Sequence, residues 1–181
     1  LELKNSTYEF EAGETIIARV LYQPSGKIED GGFTVGFYES LPSPNKPKWI
    51  TLGKKNFVLE PSEALIELQD SKVLNEKYTL TAMLPELKNY ARNFRLYRTT
   101  PATSEREYLG GVYTWDPQWP GAFNFKKGIP LEPNTTLFAI TSYDNSGHAF
   151  GDSRVTPKPV PFGGGEDQEL NWTHILLEPR P

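Results

Sequence analysis

What most constrains the fold is a succession of short β-prone runs with no helical apolar period anywhere in the chain. Nowhere do apolar residues recur at 3.6-residue intervals over the length of an ordinary helix. Strand patterns occur instead at Thr15–Gln23, Phe33–Glu39, Lys48–Leu52, Ala64–Gln69, Lys77–Leu84, Asn93–Arg98, Glu107–Thr114, Thr136–Tyr143 and Asn171–Glu178. Turn chemistry separates them at Pro24-Ser25-Gly26-Lys27, Pro117, Pro120-Gly121, Pro130, Pro133-Asn134 and Asp144-Asn145-Ser146-Gly147. Strands and turns at this spacing predict an all-β antiparallel sandwich. In Thr15–Gln23 both faces are apolar, as in a central strand. In Lys77–Leu84, Tyr78, Leu80, Ala82 and Leu84 alternate with Thr79, Thr81 and Met83.

Composition removes several functions. There is no cysteine, so disulfides, thiolate metal sites, c-type haem and a cysteine nucleophile are excluded. A net charge of −4 leaves no basic footprint, so nucleic acid is not an expected partner. No apolar run is long enough for a membrane-spanning helix. No signal peptide is visible, and the start at Leu1-Glu2-Leu3-Lys4 is that of a processed chain or of a piece of a longer precursor.

Four stretches share an order with a known family. Ile17–Lys27 reads IARVLYQPSGK and Ala82–Tyr97 reads AMLPELKNYARNFRLY. Leu109–Asn145 contains Asp116-Pro117-Gln118-Trp119 and leads into Tyr143-Asp144-Asn145-Ser146, and Gly163–Leu170 is a glycine-led run ending in Glu169-Leu170. Together they resemble the copper type II, ascorbate-dependent monooxygenases, the family of peptidylglycine hydroxylating and dopamine β-monooxygenases. The resemblance implies a jelly-roll sandwich like that family's C-terminal domain. It also implies a copper site that is degenerate here. Glu86, Lys88 and Leu170 stand where the family has two histidines and a methionine, and Leu21 and Gln23 stand at a histidine pair of the first stretch. Carboxylate, ammonium and isobutyl groups do not replace imidazole and thioether as copper ligands. Two histidines and one methionine are too few for the family's two centres. Met83 is expected in the core.

Other candidates are weaker. His148 and His174 lack the spacing of a zinc motif and read as a turn histidine and a strand-face histidine. Gly163-Gly164-Gly165 lacks the Lys-Ser/Thr of a phosphate loop and reads as a close approach of two backbones. Glu166, Asp167 and Glu169 form a small acidic patch. Asp144 to Asp152 is a loose imitation of a calcium loop. Trp115 and Trp119, with Tyr113 and Phe123, occupy a proline-rich turn region. If exposed, they would stack on sugars or anchor a protein; otherwise they close the end of the core. Of three glycosylation sequons, Asn171-Trp172-Thr173 falls in a predicted strand and is read as incidental.

The expected organisation is a partial N-terminal β region over 1–56, with an open sheet edge, and a C-terminal β-sandwich over 57–181. The expected function is a non-catalytic, extracytoplasmic interaction subunit of a larger complex, with a protein partner and no cofactor. The family resemblance points to a bacterial, periplasmic or secreted setting. A carbohydrate-binding module using Trp115 and Trp119 is the alternative, and a copper monooxygenase is the reading the ligand positions argue against.

Overall fold

The computed structural model describes residues 7–17, 26–28, 30–32, 34–61, 64–118, 120–146, 156–165 and 167–181. Within them lie ten strands: β1 (Lys48–Leu52), β2 (Val58–Leu59), β3 (Ile66–Leu74), β4 (Tyr78–Glu86), β5 (Ala91–Thr100), β6 (Thr103–Val112), β7 (Phe123–Leu131), β8 (Thr135–Tyr143), β9 (Val160–Pro161) and β10 (Trp172–Pro179). They build one four-stranded sheet in the order β1-β10-β4-β7, a second in the order β3-β8-β5-β6, and a two-stranded ribbon β2-β9. Every ladder is antiparallel. Consecutive long strands alternate between the sheets at both ends of the chain, which is the strand order of a jelly roll. The all-β sandwich expected from the sequence is the observed fold.

One core joins the sheets. Ile50, Leu52, Leu80, Ile175 and Leu177 face Phe94, Leu96, Leu137, Ala139 and Tyr143 from the opposite sheet, all of them buried. The simple alternation expected in β4 breaks at Thr81. Leu80 pairs with Leu177 and Ala82 with Leu176, so Thr81 is an extra residue, and its hydroxyl donates to the Leu176 carbonyl at 3.2 Å. This bulge reverses the parity. Met83 joins the core and Leu84 turns away from it, which makes the sole methionine a packing residue.

Strand β7 was not expected. Pro130 reads as a turn residue, yet β7 is an edge strand, where its lysines, glycine and proline are tolerated.

β1, which falls in the expected 1–56 region, pairs along its length with β10 and buries Ile50 and Leu52. The strand expected at Phe33–Glu39 is corrected: residues 34–39 form no ladder. Phe33 and most of Thr15–Gln23 lie outside the described residues. The described part of the N-terminal segment leans on β1. The Trp49 indole donates to the Tyr8 hydroxyl, Ser43 N–H donates to Thr7 Oγ1 at 3.1 Å, and Lys46 pairs with Glu9 at 2.9 Å.

Candidate functional site

Three of the four motif stretches meet at one end of the sandwich, around the carboxylate of Glu169. That side chain is 0% exposed. It accepts the backbone N–H of Lys88, that of Tyr90 at 2.8 Å and that of Leu170 at 2.8 Å. The acid therefore ties the β4–β5 turn to the glycine-led loop, whose other ties are Gly163 N–H to Glu169 O at 2.9 Å and Lys88 Nζ to the Gly165 carbonyl. The loop is a close approach, as expected: a Cβ on Gly163 would collide with the side chain of Gln168. Burial pushes the Glu169 pKa up, and the N–H groups of Tyr90, Leu170 and Lys88 pull against it.

The Tyr143–Ser146 motif completes the knot. The Tyr143 hydroxyl donates to the Leu170 carbonyl at 2.8 Å, and Asp144 N–H donates to Tyr90 O at 3.0 Å. Asn145 is buried, and its amide nitrogen donates toward the carbonyls of Leu59, Glu60 and Lys158 at 2.8–3.1 Å, clamping the β2-β9 ribbon. Asp144 accepts Ser146 N–H at 2.9 Å and faces Arg92 at 3.5 Å. Burial opposes its ionisation, but Ser146 and Arg92 outweigh it and lower the pKa. These residues read as structural ties rather than calcium ligands; Gly147–Asp152 lie outside the described residues.

Of the positions singled out in the sequence, Lys88 donates its backbone N–H to the Glu169 carboxylate, Leu170 follows that acid, and Glu86 pairs with Trp172 at the end of β4. Both charged side chains have partners within the chain. Lys88 Nζ is spent on a carbonyl, and Glu86 Oε2 lies 3.1 Å from His174 Nε2. His174 Nδ1 lies 2.9 Å from Thr51 Oγ1 in turn, giving a hydrogen-bonded row across β1, β10 and β4. His174 is thus the strand-face histidine expected; His148 lies outside the described residues. No group of three or more metal-ligating side chains occurs among the described residues. No family model and no curated protein matches the chain.

Of the two readings open for Trp115, it takes the one that closes the end of the core rather than the exposed one. It is 6% exposed, its N–H donates to Arg92 O at 2.8 Å, and its indole N–H donates to Lys88 O at 3.1 Å. The ring plugs the motif end and offers no free face to a sugar or partner. Trp119 lies outside the described residues. The Asn171 sequon is buried, with Asn171 Oδ1 accepting Lys54 N–H at 3.1 Å.

Two other aromatics of that turn region, Tyr113 and Phe123, are exposed. Tyr97 and Tyr108 face each other across β5 and β6, with ring centroids 5.5 Å apart, and Tyr113 lies 6.3 Å beyond Tyr108. The sequence carried a signal for them. Tyr97 has opposite parity to the apolar Phe94 and Leu96, so a sandwich with those two inside must carry Tyr97 outside.

Proposed function

We propose that the chain is a non-catalytic, extracytoplasmic interaction subunit, a metal-free relative of the copper monooxygenases whose sandwich serves as a scaffold. The segment ahead of β1 is its docking part. The observation that carries this reading is the apolar surface of that segment. Ile17, Val35, Phe37, Tyr38 and Leu41 are exposed, Tyr38 at 97% and Leu41 at 88%. So many exposed large apolar side chains in one short segment favour an association site. Residues 34–41 are β-prone and form no ladder, which suits addition of a strand to a partner's sheet. The motif end supports the non-catalytic half of the reading, because Glu169 is closed off and Lys88 is engaged within the chain.

Sizing the native assembly and identifying its members by mass spectrometry tests this. A stoichiometric partner is expected, together with hydrogen-exchange protection of 34–41 on association. The double variant Tyr38→Asp/Leu41→Asp is expected to weaken association about a hundredfold while leaving the melting temperature of the sandwich unchanged. A partner-free monomer in the native source, or association indifferent to the double variant, contradicts the docking role. Stoichiometric copper in the native protein contradicts the metal-free one.

A further inference from the structure

The outer face of the β3-β8-β5-β6 sheet carries a surface that the motif end does not use. One cross-strand row reads Ser71, Phe138, Tyr97, Tyr108, and the next reads Gln69, Ile140, Arg95, Gly111. The Tyr97 and Tyr108 rings pack edge to face, whereas Tyr108 and Tyr113 are inclined by only 35° and make a shallow shelf. Gly111 creates the room for it. A Cβ there would strike the Phe94 carbonyl and sit 3.0 Å from the Tyr108 hydroxyl, so Tyr108 lies over the strand where a side chain would otherwise stand. Tyr108 stays 42% exposed and Tyr113 76%. Partial burial, then the hydrogen bond with Tyr113, pushes the Tyr108 pKa up to about 12.

Polar groups flank the shelf. Arg95 donates to the Glu67 carboxylate and, at 3.2 Å, to Ser142 Oγ, which donates to Glu67 at 3.1 Å. The Arg106 guanidinium lies 4.4 Å from the centre of the Phe138 ring.

We propose that this face binds carbohydrate, with sugar rings stacked on Tyr108 and Tyr113 and their hydroxyls bonded to Arg95, which Glu67 holds in place. A pyranose presents C–H groups on its faces and hydroxyls at its rim. It therefore needs open, pre-positioned aromatic faces beside polar groups that can both donate and accept. A protein partner fits less well. Tyrosine and arginine suit either ligand, but carboxylates are depleted at the centres of protein interfaces, and here the Glu67 carboxylate stands beside Arg95 on this face. The proposal is independent of docking through the segment ahead of β1, which leans on the other sheet, so either can fail alone.

The test is native affinity electrophoresis of the full chain in gels holding hydroxyethyl cellulose, arabinoxylan, galactomannan or laminarin. Calorimetry with the hexasaccharide of any polymer that retards it follows. Retardation by at least one polymer is expected. Tyr113→Ala, a truncation at an exposed position, is expected to weaken binding about tenfold or more, and Tyr38→Ala to leave it unchanged. Three results overturn the proposal: no polymer retards the chain; retardation survives in the Tyr108→Ala/Tyr113→Ala double variant, shown folded by its melting curve; or Tyr113→Ala abolishes binding to a co-purified protein while no polymer retards the parent.

Discussion

Glu169→Ala is expected to lower the unfolding free energy by about 4 kcal/mol at neutral pH, because it leaves buried N–H groups without an acceptor at about 1–3 kcal/mol each. For a chain of this size the melting temperature should fall by roughly 10 °C. The loss is large because the carboxylate joins segments far apart in sequence: Lys88 and Tyr90 in the β4–β5 turn, and Leu170 at the entry to β10. Glu169→Gln is expected to cost about half as much, since an amide keeps one accepting oxygen but turns an NH₂ toward a backbone N–H. Thermal unfolding of the three proteins measures this. Equal stability of Glu169→Ala and the parent would show that the carboxylate does not tie the loop.

The same acid predicts a pH dependence. Its pKa in the fold lies above the ordinary glutamate value, so the folded chain holds the proton more tightly than the unfolded chain. The stabilisation is complete below the ordinary value near 4.5 and is lost as pH rises through the raised one. The parent should therefore gain on Glu169→Gln as pH falls from neutrality toward that range. Asp144 acts in the opposite sense. Its lowered pKa gives stability that is present above about 3.8 and is lost as pH falls through the folded value. A gap between the parent and Glu169→Gln that stays constant from pH 7 to 4.5 would mean that Glu169 does not hold its proton in this way.

The strands were legible because apolar residues recur at every second position. Phe94 with Leu96, Leu137 with Ala139, and Ile175 with Leu177 each lie two apart and are all buried. Legibility failed where a local rule met a tertiary one. β7 carries glycine and proline that only an edge strand accommodates, and nothing local distinguishes an edge strand from a turn. The parity of β4 reverses at Thr81 through pairing with β10, a distant segment. Trp115 could be read either way because its neighbours are turn residues, and its indole N–H reaches a carbonyl that is adjacent only after folding. The tyrosine shelf spans a hairpin and needs the hollow at Gly111, so parity revealed the outward face of Tyr97 without revealing its neighbours.

Gly53→Ala is the second large effect expected, a loss of about 3 kcal/mol from backbone strain and overpacking together. Gly53 ends β1 with φ at +148°, a conformation that side-chain-bearing residues rarely adopt. Its N–H donates to Asp70 Oδ2 of β3 at 2.8 Å, so the chain is held at the point where it leaves one sheet beside the other. An added Cβ would fall on the carbonyl of Asn171, far inside van der Waals contact. That obstacle is backbone at the entry to β10, fixed by the Leu52–Thr173 pair next to it, so no rotamer change relieves it. The control is Gly164→Ala, where a Cβ meets nothing within 4 Å and φ is ordinary. That variant is expected to stay within about 0.5 kcal/mol of the parent. The contrast separates the close approach at Gly53 from any general cost of replacing glycine in this loop-rich chain. Equal melting temperatures for the two variants would mean that β1 and Asn171 do not meet as described.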